Sequence, residues 1–413
     1  MKVEVVDVNA VDIGKYLAEL RRYYRITQDE LAGRMGVTRQ AVSKWETGTA
    51  IPDIEILMNL SEIYGISIND ILKADLTKIK FQKEIVFPEE EKNAKNVFVI
   101  GCGRWGTFIA WYLDKIGHRV SLYGREQSRN MKELLETGKN SYLALSETTH
   151  LTTTYEDIHK ADYIIISVGA QKLNEVVSEL ADRSIQGKTI VLCMKGIEIE
   201  TGRRLSQIAS DVLDHSNHIA VWLGPGHVQE FYRGIPNCMV IDSNEELVKD
   251  ELIRSFSSDL IRFYYETDLI GNEIGAAAKN VIGIAAGMLE GLDLSSLKGA
   301  LMARGTAEIS RLIVAMGGKA GTVYGLCHLG DYEATLFSEH SHNLSFGKSI
   351  VQNQNYNELA EGYYTVKAIH NLAKAYGVDL PICEAIYQIT HKQQAPKTIL
   401  KNLFDRSLKN EFT

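Results

Sequence analysis

Two kinds of hydrophobic spacing divide the 413-residue chain. Residues 1–75 carry short amphipathic periods and read as helical. From Asn96 the pattern changes to apolar runs of strand length with helical segments between them. The runs are Val97–Ile100, Arg119–Tyr123, Tyr163–Val168, Thr189–Met194 and Ala220–Leu223. Such alternation predicts a parallel α/β sheet. After about Asp268 the strand-length runs stop, and long helical patterns fill the remainder. Between the first two regions lies KIKFQKEIVFPEEEKNAK, charged and broken by Pro88. The expected organisation is a helical domain at 1–75, a linker at 76–95, a sheet domain at 96–267 and an all-helical domain at 268–413. That agrees with a prior of roughly 150 residues per domain.

Composition narrows the class. Hydrophobic residues make up 45% and charged residues 24%, which excludes a disordered chain. The net charge of −8 argues against a surface coated in basic residues, though not against a local basic patch. Cys102, Cys193, Cys238, Cys327 and Cys383 are scattered, with no C-x-x-C pair. A disulfide framework and a zinc site are therefore not expected, and no metal ligand is assigned. The N-terminal text MKVEVVDVNA lacks a charged-then-apolar leader pattern. The apolar stretch Val281–Leu289, closed by Lys279 and Glu290, is far short of the ~20 residues of a membrane span. The expectation is a soluble, cytoplasmic protein without a membrane partner.

The stretch TQDELAGRMGVTRQAVSKWETG predicts two short helices around a tight turn. Thr27 can cap the first, with Glu30 at the reciprocal capping-box position. Gly36 suits the left-handed residue that ends it. Thr38 can cap the second helix. There Ala41, Val42 and Trp45 point one way, and Arg39, Gln40, Ser43 and Lys44 the other. That outward set hydrogen-bonds base edges and phosphates well. Residues 1–75 hold 9 basic and 12 acidic residues, yet 34–44 carry Arg34, Arg39 and Lys44 with no acid. With IPDIEILMNLSEIYGISINDIL following, residues 11–74 resemble the lambda-repressor-like (XRE) helix-turn-helix family. The resemblance implies a DNA-binding head. Gln28 would touch a phosphate, and Arg39, Gln40, Ser43 and Lys44 would face the major groove of double-stranded DNA.

Gly101, Gly103 and Gly106 follow the first strand as G-C-G-R-W-G and open a helix. In a βαβ context this spacing is a dinucleotide fingerprint. The glycines allow a tight turn, backbone approach to a pyrophosphate, and close helix–strand packing. The sheet domain is therefore expected to be Rossmann-type. An NAD site usually places an acid at the end of the second strand. Here the text runs Gly124-Arg125-Glu126, and Arg125 could hold a 2′-phosphate, so NADP or NAD remains open.

Residues 271–290, GNEIGAAAKNVIGIAAGMLE, are rich in small and apolar residues and predict a buried helix. Lys279 lies in its middle. A buried ammonium is costly unless paired or functional, and burial lowers its pKa toward proton transfer. Lys195 follows a strand at the edge where open α/β sheets bind ligands. Two such lysines suggest an anionic substrate. Asp331, in GLCHLGDYEAT, could pair with a lysine and orient it.

Residues 96–410 resemble the soluble NAD(P)-dependent glycerol-3-phosphate dehydrogenases of bacteria. The motifs are GCGRWGT at 101–107, NSYL at 140–143, MKGIE at 194–198, LGP at 223–225, GNEIGAAAKNVIGIAAG at 271–287, ALMARGTAEISRL at 300–312, GDYEAT at 330–335 and AEG at 360–362. The resemblance implies reversible hydride transfer between dihydroxyacetone phosphate and sn-glycerol 3-phosphate. Lys279 would be the proton donor and Lys195 would touch cofactor and substrate. Asp331 and Thr335 would position the substrate. Gly101, Gly103, Arg104, Trp105, Gly106, Arg125 and Glu361 would line the cofactor. Ser341, His342 and Asn343 match the substrate-phosphate motif, but the family has arginine where His342 stands. Arginine grips phosphate through a bidentate fork that histidine lacks. GPGHVQE at 224–230 and Gly169-Ala170-Gln171 also depart from the family pattern. Three readings follow: an active dehydrogenase with a DNA-binding head; a regulator whose body senses NAD(P)H or a sugar phosphate without turnover; or a dehydrogenase of a related substrate. The first is favoured, with a homodimer expected.

Overall fold

The computed structural model describes residues 9–23, 26–64, 66–74, 94–338 and 341–405. The chain forms two compact units, Met1–Ile85 and Val86–Thr413. The linker expected at 76–95 falls, up to residue 93, outside the described residues.

In the first unit five helices are described: α1 Ala10–Tyr23, α2 Gln28–Met35, α3 Arg39–Glu46, α4 Ile54–Tyr64 and α5 Ile68–Lys73. The local signals act as expected. Thr27 and Glu30 form a capping box, Gly36 is left-handed at φ 64°, and the Thr38 side chain accepts from the Ala41 amide. Val42 and Trp45 enter a core with Ile13, Leu17, Leu31 and Leu60. That burial orients α3, leaving Arg39, Gln40 and Lys44 exposed and Ser43 half-buried.

The second unit is built on one eight-stranded sheet. Its strands are β1 Asn96–Ile100, β2 Arg119–Tyr123, β3 His150–Thr152, β4 Tyr163–Ile166, β5 Thr189–Leu192, β6 His218–Leu223, β7 Asn237–Ser243 and β8 Ile261–Tyr265. They lie in the order β3-β2-β1-β4-β5-β6-β7-β8. All neighbours are parallel except β6 and β7. This is a Rossmann-type sheet, its order reversing between β1 and β4. Three strands were not read from the sequence: β3, β7 and β8. Two expected runs end earlier than predicted, at Ile166 and Leu192, and the residues beyond them become site loops.

The helical half is organised by Leu269–Gly291, buried at every position from Gly271 to Leu289. Its start is tied to the sheet half. Asn272 Nδ2 donates to Asp242 Oδ2 at 2.9 Å, and the Ser206 amide donates to Glu273 Oε1 at 2.9 Å. Arg204 also pairs with Glu273. The helix His342–Val351 lies against the long helix, and the crossing is set by glycine. A Cβ on Gly287 would overlap the Leu344 carbonyl, and one on Gly347 the Ile284 carbonyl. Among the described residues no helix is long and apolar enough to cross a membrane.

Gly287→Ala should lower stability by about 1–3 kcal/mol, because no flexible side chain can yield there. Gly299→Ala, where a Cβ meets nothing within 4 Å, should leave stability unchanged or slightly raised. Urea titration of both variants checks the contrast.

Candidate active site

The carboxyl ends of four parallel strands converge on one edge of the sheet. β1 leads to Gly101, β4 leads to Gly169, β5 leads to Lys195, and β6 leads to Gly224. Crevices outside this edge are where open α/β sheets take ligands.

At β1 the glycine turn has the expected division of labour. Gly101 has φ 112°, and its amide donates to the Tyr123 carbonyl at 2.9 Å. A Cβ on Gly106 would strike the Gly101 carbonyl, so the third glycine sets helix–strand contact. Gly103 faces open space and precedes the helix Arg104–Lys115, whose first turn has no side-chain cap. Unclaimed amides beside an open backbone are what a dinucleotide pyrophosphate requires. Trp105 is half-buried, its ring 5.0 Å from that of Phe108. The Glu361 carboxyl approaches the Gly169–Ala170 backbone, and burial raises its pKa above the ordinary carboxylate value. Arg125 lies exposed beyond β2, with no side-chain hydrogen bond or ion pair among the described residues. It stands two residues past Tyr123, whose carbonyl accepts from the Gly101 amide at 2.9 Å.

Beside this turn sits a cluster of charge. Lys195 Nζ donates to the Gly224 carbonyl and to Asp331 Oδ2, both at 2.6 Å. Lys279 Nζ lies 2.7 Å from the same Asp331 Oδ2 and donates to Thr335 Oγ1 at 2.8 Å. Thr335 Oγ1 in turn donates to the Asp331 carbonyl at 2.7 Å. Asp331 and Thr335 are almost fully buried, and Lys279 is 7% exposed. Burial, with the Lys195 charge, lowers the Lys279 pKa from 10.5 to about 8 against the pull of Asp331. An ammonium has three donors. Each lysine spends two on the partners named, which leaves one N–H for a ligand. Asp331 Oδ1 is buried without a partner. The site thus offers two cationic donors and one free carboxylate acceptor.

Asn343 extends the cluster. Its Nδ2 donates to Asn280 Oδ1 at 3.0 Å, and its Oδ1 accepts from the Gly362 amide at 2.9 Å. Ser341 caps the helix His342–Val351 by accepting from the Leu344 amide. His342 stands to one side, among Arg104, Tyr356 and Glu358.

Several supporting residues escaped sequence reasoning. His328 is fully buried; its Nδ1 bonds the Gly275 carbonyl at 2.8 Å, and its Nε2 accepts from Tyr332 at 2.7 Å. Burial depresses its pKa to about 4, so it stays neutral. It pins the Asp331 turn to the long helix one turn before Lys279. Gln171 holds the Lys195 loop, donating to the Ile197 carbonyl at 2.8 Å and accepting from the Ile199 amide at 3.1 Å. For His328 the available signal was a polar residue inside an apolar motif; Gln171 is exposed and gave none. The backbone partner of His328, 53 positions away, was not visible.

The sheet order, the glycine turn and the lysine cluster define a nicotinamide-dependent dehydrogenase of the Rossmann type. The family described as NAD-dependent glycerol-3-phosphate dehydrogenase matches in its N-terminal part at residues 96–248 and its C-terminal part at 268–401. A helix-turn-helix family matches residues 17–71. The glycerol-3-phosphate dehydrogenase [NAD(P)+] of Pelodictyon phaeoclathratiforme is 33% identical over 330 residues, covering 76% of this chain and 99% of that protein. The protein of the same name from Maridesulfovibrio salexigens is 35% identical over 328 residues, with the same coverage. The crystal structure of glycerol-3-phosphate dehydrogenase from Coxiella burnetii superposes with a TM-score of 0.71 at 27% identity, covering 76% of this chain and 99% of that one. The chain belongs to the NAD(P)-dependent glycerol-3-phosphate dehydrogenase family, and carries a helix-turn-helix domain before the dehydrogenase body.

Asp331→Asn removes the charge that both lysines share. The Lys279 pKa should fall further below about 8, since Asp331 is what holds it up. Stability near neutral pH should drop by about 3–5 kcal/mol, the usual cost of breaking a buried pair. Lysine side-chain NMR and urea titration read the two effects separately.

Proposed function

We propose that the chain reduces dihydroxyacetone phosphate to sn-glycerol 3-phosphate, reversibly, with NADPH or NADH. The observation that carries this reading is the buried Lys279 ammonium, sharing Asp331 with Lys195 beside the glycine turn. The bound nicotinamide supplies or accepts a hydride. The chain's own residues do the rest. The free N–H of Lys279 points the reading to the C2 oxygen, and its proton completes the alcohol as the hydride arrives at C2. Lys195 adds positive charge where the oxygen gains negative charge. Asp331 Oδ1 is an acceptor for the C1 hydroxyl. Thr335 holds the Lys279 amine in line. Gly101, Gly103, Trp105, Gly106, Glu361 and the backbone of Arg104 would border the cofactor, with Arg125 toward a ribose 2′-phosphate. Ser341, His342 and Asn343 would border the substrate phosphate.

The reading also covers the whole chain. Domains at 1–75, 96–267 and 268–413 would serve as DNA reader, cofactor platform and catalytic half. A cytoplasmic homodimer would present two heads to a palindromic site, as repressor-like domains do. Gln28 would contact a phosphate, and Arg39, Gln40, Ser43 and Lys44 the major groove. In the free protein Gln28 Nε2 donates to Glu46 at 2.9 Å, so phosphate contact must use its second amide hydrogen or displace that bond.

The deciding experiment is a steady-state assay with dihydroxyacetone phosphate, following NADPH and NADH oxidation separately. Turnover above ~1 s⁻¹ is expected. Cofactor binding without turnover would remove the reading in favour of a sensor. Reduction needs Lys279 charged, so kcat/KM for reduction should fall as pH rises through about 8. Oxidation needs it neutral and should rise over the same interval. Lys279→Met should abolish both limbs.

For the head, duplexes selected from a random pool give the DNA site. Lys44→Ala should weaken binding at all sequences and lower the salt slope by about 1, if its contact is to phosphate. Gln40→Ala should relax the choice of base at one position, worth about 1–3 kcal/mol. Unchanged binding in both variants would remove α3 as the reading helix.

A further inference from the structure

Three cationic side chains stand near the candidate site: Lys195, Lys279 and Arg104. The two lysines are matched to Asp331. Arg104 is matched to no carboxylate among the described residues. It is the first residue of the helix after Gly103, so its backbone lies in the dinucleotide turn. Its side chain goes elsewhere. The guanidinium lies over the Tyr142 ring, 5.4 Å from the centroid, and its Nη2 is 3.4 Å from His342 Nε2.

That contact fixes the state of the imidazole. Guanidinium can only donate, so His342 Nε2 must carry a lone pair. The proton then sits on Nδ1, which is 2.7 Å from Glu358 Oε2 and 2.9 Å from Tyr356 OH. The ring is neutral and held in one tautomer. Burial and the Arg104 charge also keep its pKa below the ordinary value, against Glu358. His342 is therefore an acceptor for Arg104, not a cation. The next residue, Asn343, is bonded to Asn280, the neighbour of Lys279. One chain step thus separates the arginine's anchor from the catalytic cluster. Arg104 uses one of five N–H donors in this contact. A planar, unpaired guanidinium braced on both sides is built for two parallel bonds to phosphate.

We propose that Arg104 grips the phosphate group of the substrate, with His342 a positioning residue that aims it. The guanidinium reaches this group from the dinucleotide-binding half, while the reacting lysine comes from the helical half. The proposal rests on the reaction given above and assigns its phosphate contact.

The test compares the full-length protein with Arg104→Gln, Arg104→Lys and the double variant Arg104→Gln/His342→Arg. KM is measured separately for dihydroxyacetone phosphate and NADPH, and inorganic phosphate serves as a competing inhibitor. In Arg104→Gln, KM for dihydroxyacetone phosphate and Ki for phosphate should rise about 30-fold, the scale of a lost charged, bidentate contact. KM for NADPH should stay within about twofold. Arg104→Lys should recover part of the loss. The double variant should recover most, by placing the fork across the same contact. His342→Ala should raise KM for dihydroxyacetone phosphate more than it lowers kcat, and His342→Gln, which keeps an acceptor, should restore it. NADPH fluorescence establishes that each variant is folded. A raised KM for NADPH with that for dihydroxyacetone phosphate unchanged would assign Arg104 to the cofactor and overturn the proposal. An unchanged Ki for phosphate would overturn it too. Absence of wild-type turnover would sink the reaction itself, and a calorimetric titration then decides the phosphate contact. sn-Glycerol 3-phosphate should bind the NADP-loaded wild type about 30-fold more tightly than Arg104→Gln. Equal binding, or none to the wild type, would overturn the proposal.

Discussion

A single, buried carboxylate oxygen, Asp331 Oδ2, receives two ammonium groups, one buried and one partly exposed. Much of the second unit is arranged to make that tolerable. Each buried ion costs several kcal/mol in lost hydration, and attraction repays this only in good geometry. The geometry has to be imposed from outside, because two ammoniums repel. His328 fixes the Asp331 turn to the long helix, Gln171 fixes the Lys195 loop, and Thr335 takes the Lys279 donor that Asp331 cannot. Asn272 and Glu273 lock the same helix to the sheet half. Small residues at 283 and 287 let it run close to its neighbours, so the lysine is carried on a rigid element.

This arrangement leaves the site with a surplus of positive charge. Two ammoniums meet one carboxylate, and an unmatched guanidinium stands nearby. For a substrate bearing a phosphate group, that surplus is complementary. It also matters for the chemistry. A lysine at its ordinary pKa of 10.5 gives up its proton with difficulty near neutrality. Burial and the second lysine bring it to about 8, the range that would suit the proton donor proposed above. Asp331 opposes the shift and keeps it moderate. The same residues therefore set affinity and acidity together, and neither can be tuned alone.

Legibility in the sequence followed the range of the interaction. Thr27, Glu30, Gly36 and Thr38 act within one helical turn, and each lies where its local pattern places it. The glycine turn is equally local, as is the buried helix that carries Lys279. The edge strands were not legible. β3 is three residues, two of them polar, and β8 alternates buried and exposed positions over only five. β7 begins on half-buried polar text, Asn237–Cys238, and has the length of a strand only in pairing with β6 and β8. The surroundings of His342 were hidden for another reason. Arg104 lies 238 positions away, and no periodicity links a cofactor turn to a helix cap in another half. A histidine in place of an arginine read as the loss of a bidentate fork. In the fold it stands beside an arginine supplied from elsewhere.

The head uses a carboxylate in a comparable way. Glu46 ends α3, the helix proposed to read DNA, and a free acid there would oppose phosphate binding. Arg21 takes it with two bonds, at 2.5 and 3.0 Å, and Gln28 adds a third. The acid is thereby spent inside the domain, joining α1, α2 and α3 while its field toward solvent is cancelled. Only 8% of its side chain is exposed. The same argument explains how a domain of net −3 can carry a basic face. Its acids are not distributed evenly: Glu46 is paired inward, Asp29 lies 3.6 Å from Arg39 at the surface, and Lys44 is left to solvent. A net acidic head gains little sequence-independent attraction to DNA, so its discrimination would rest on side chains that reach base edges.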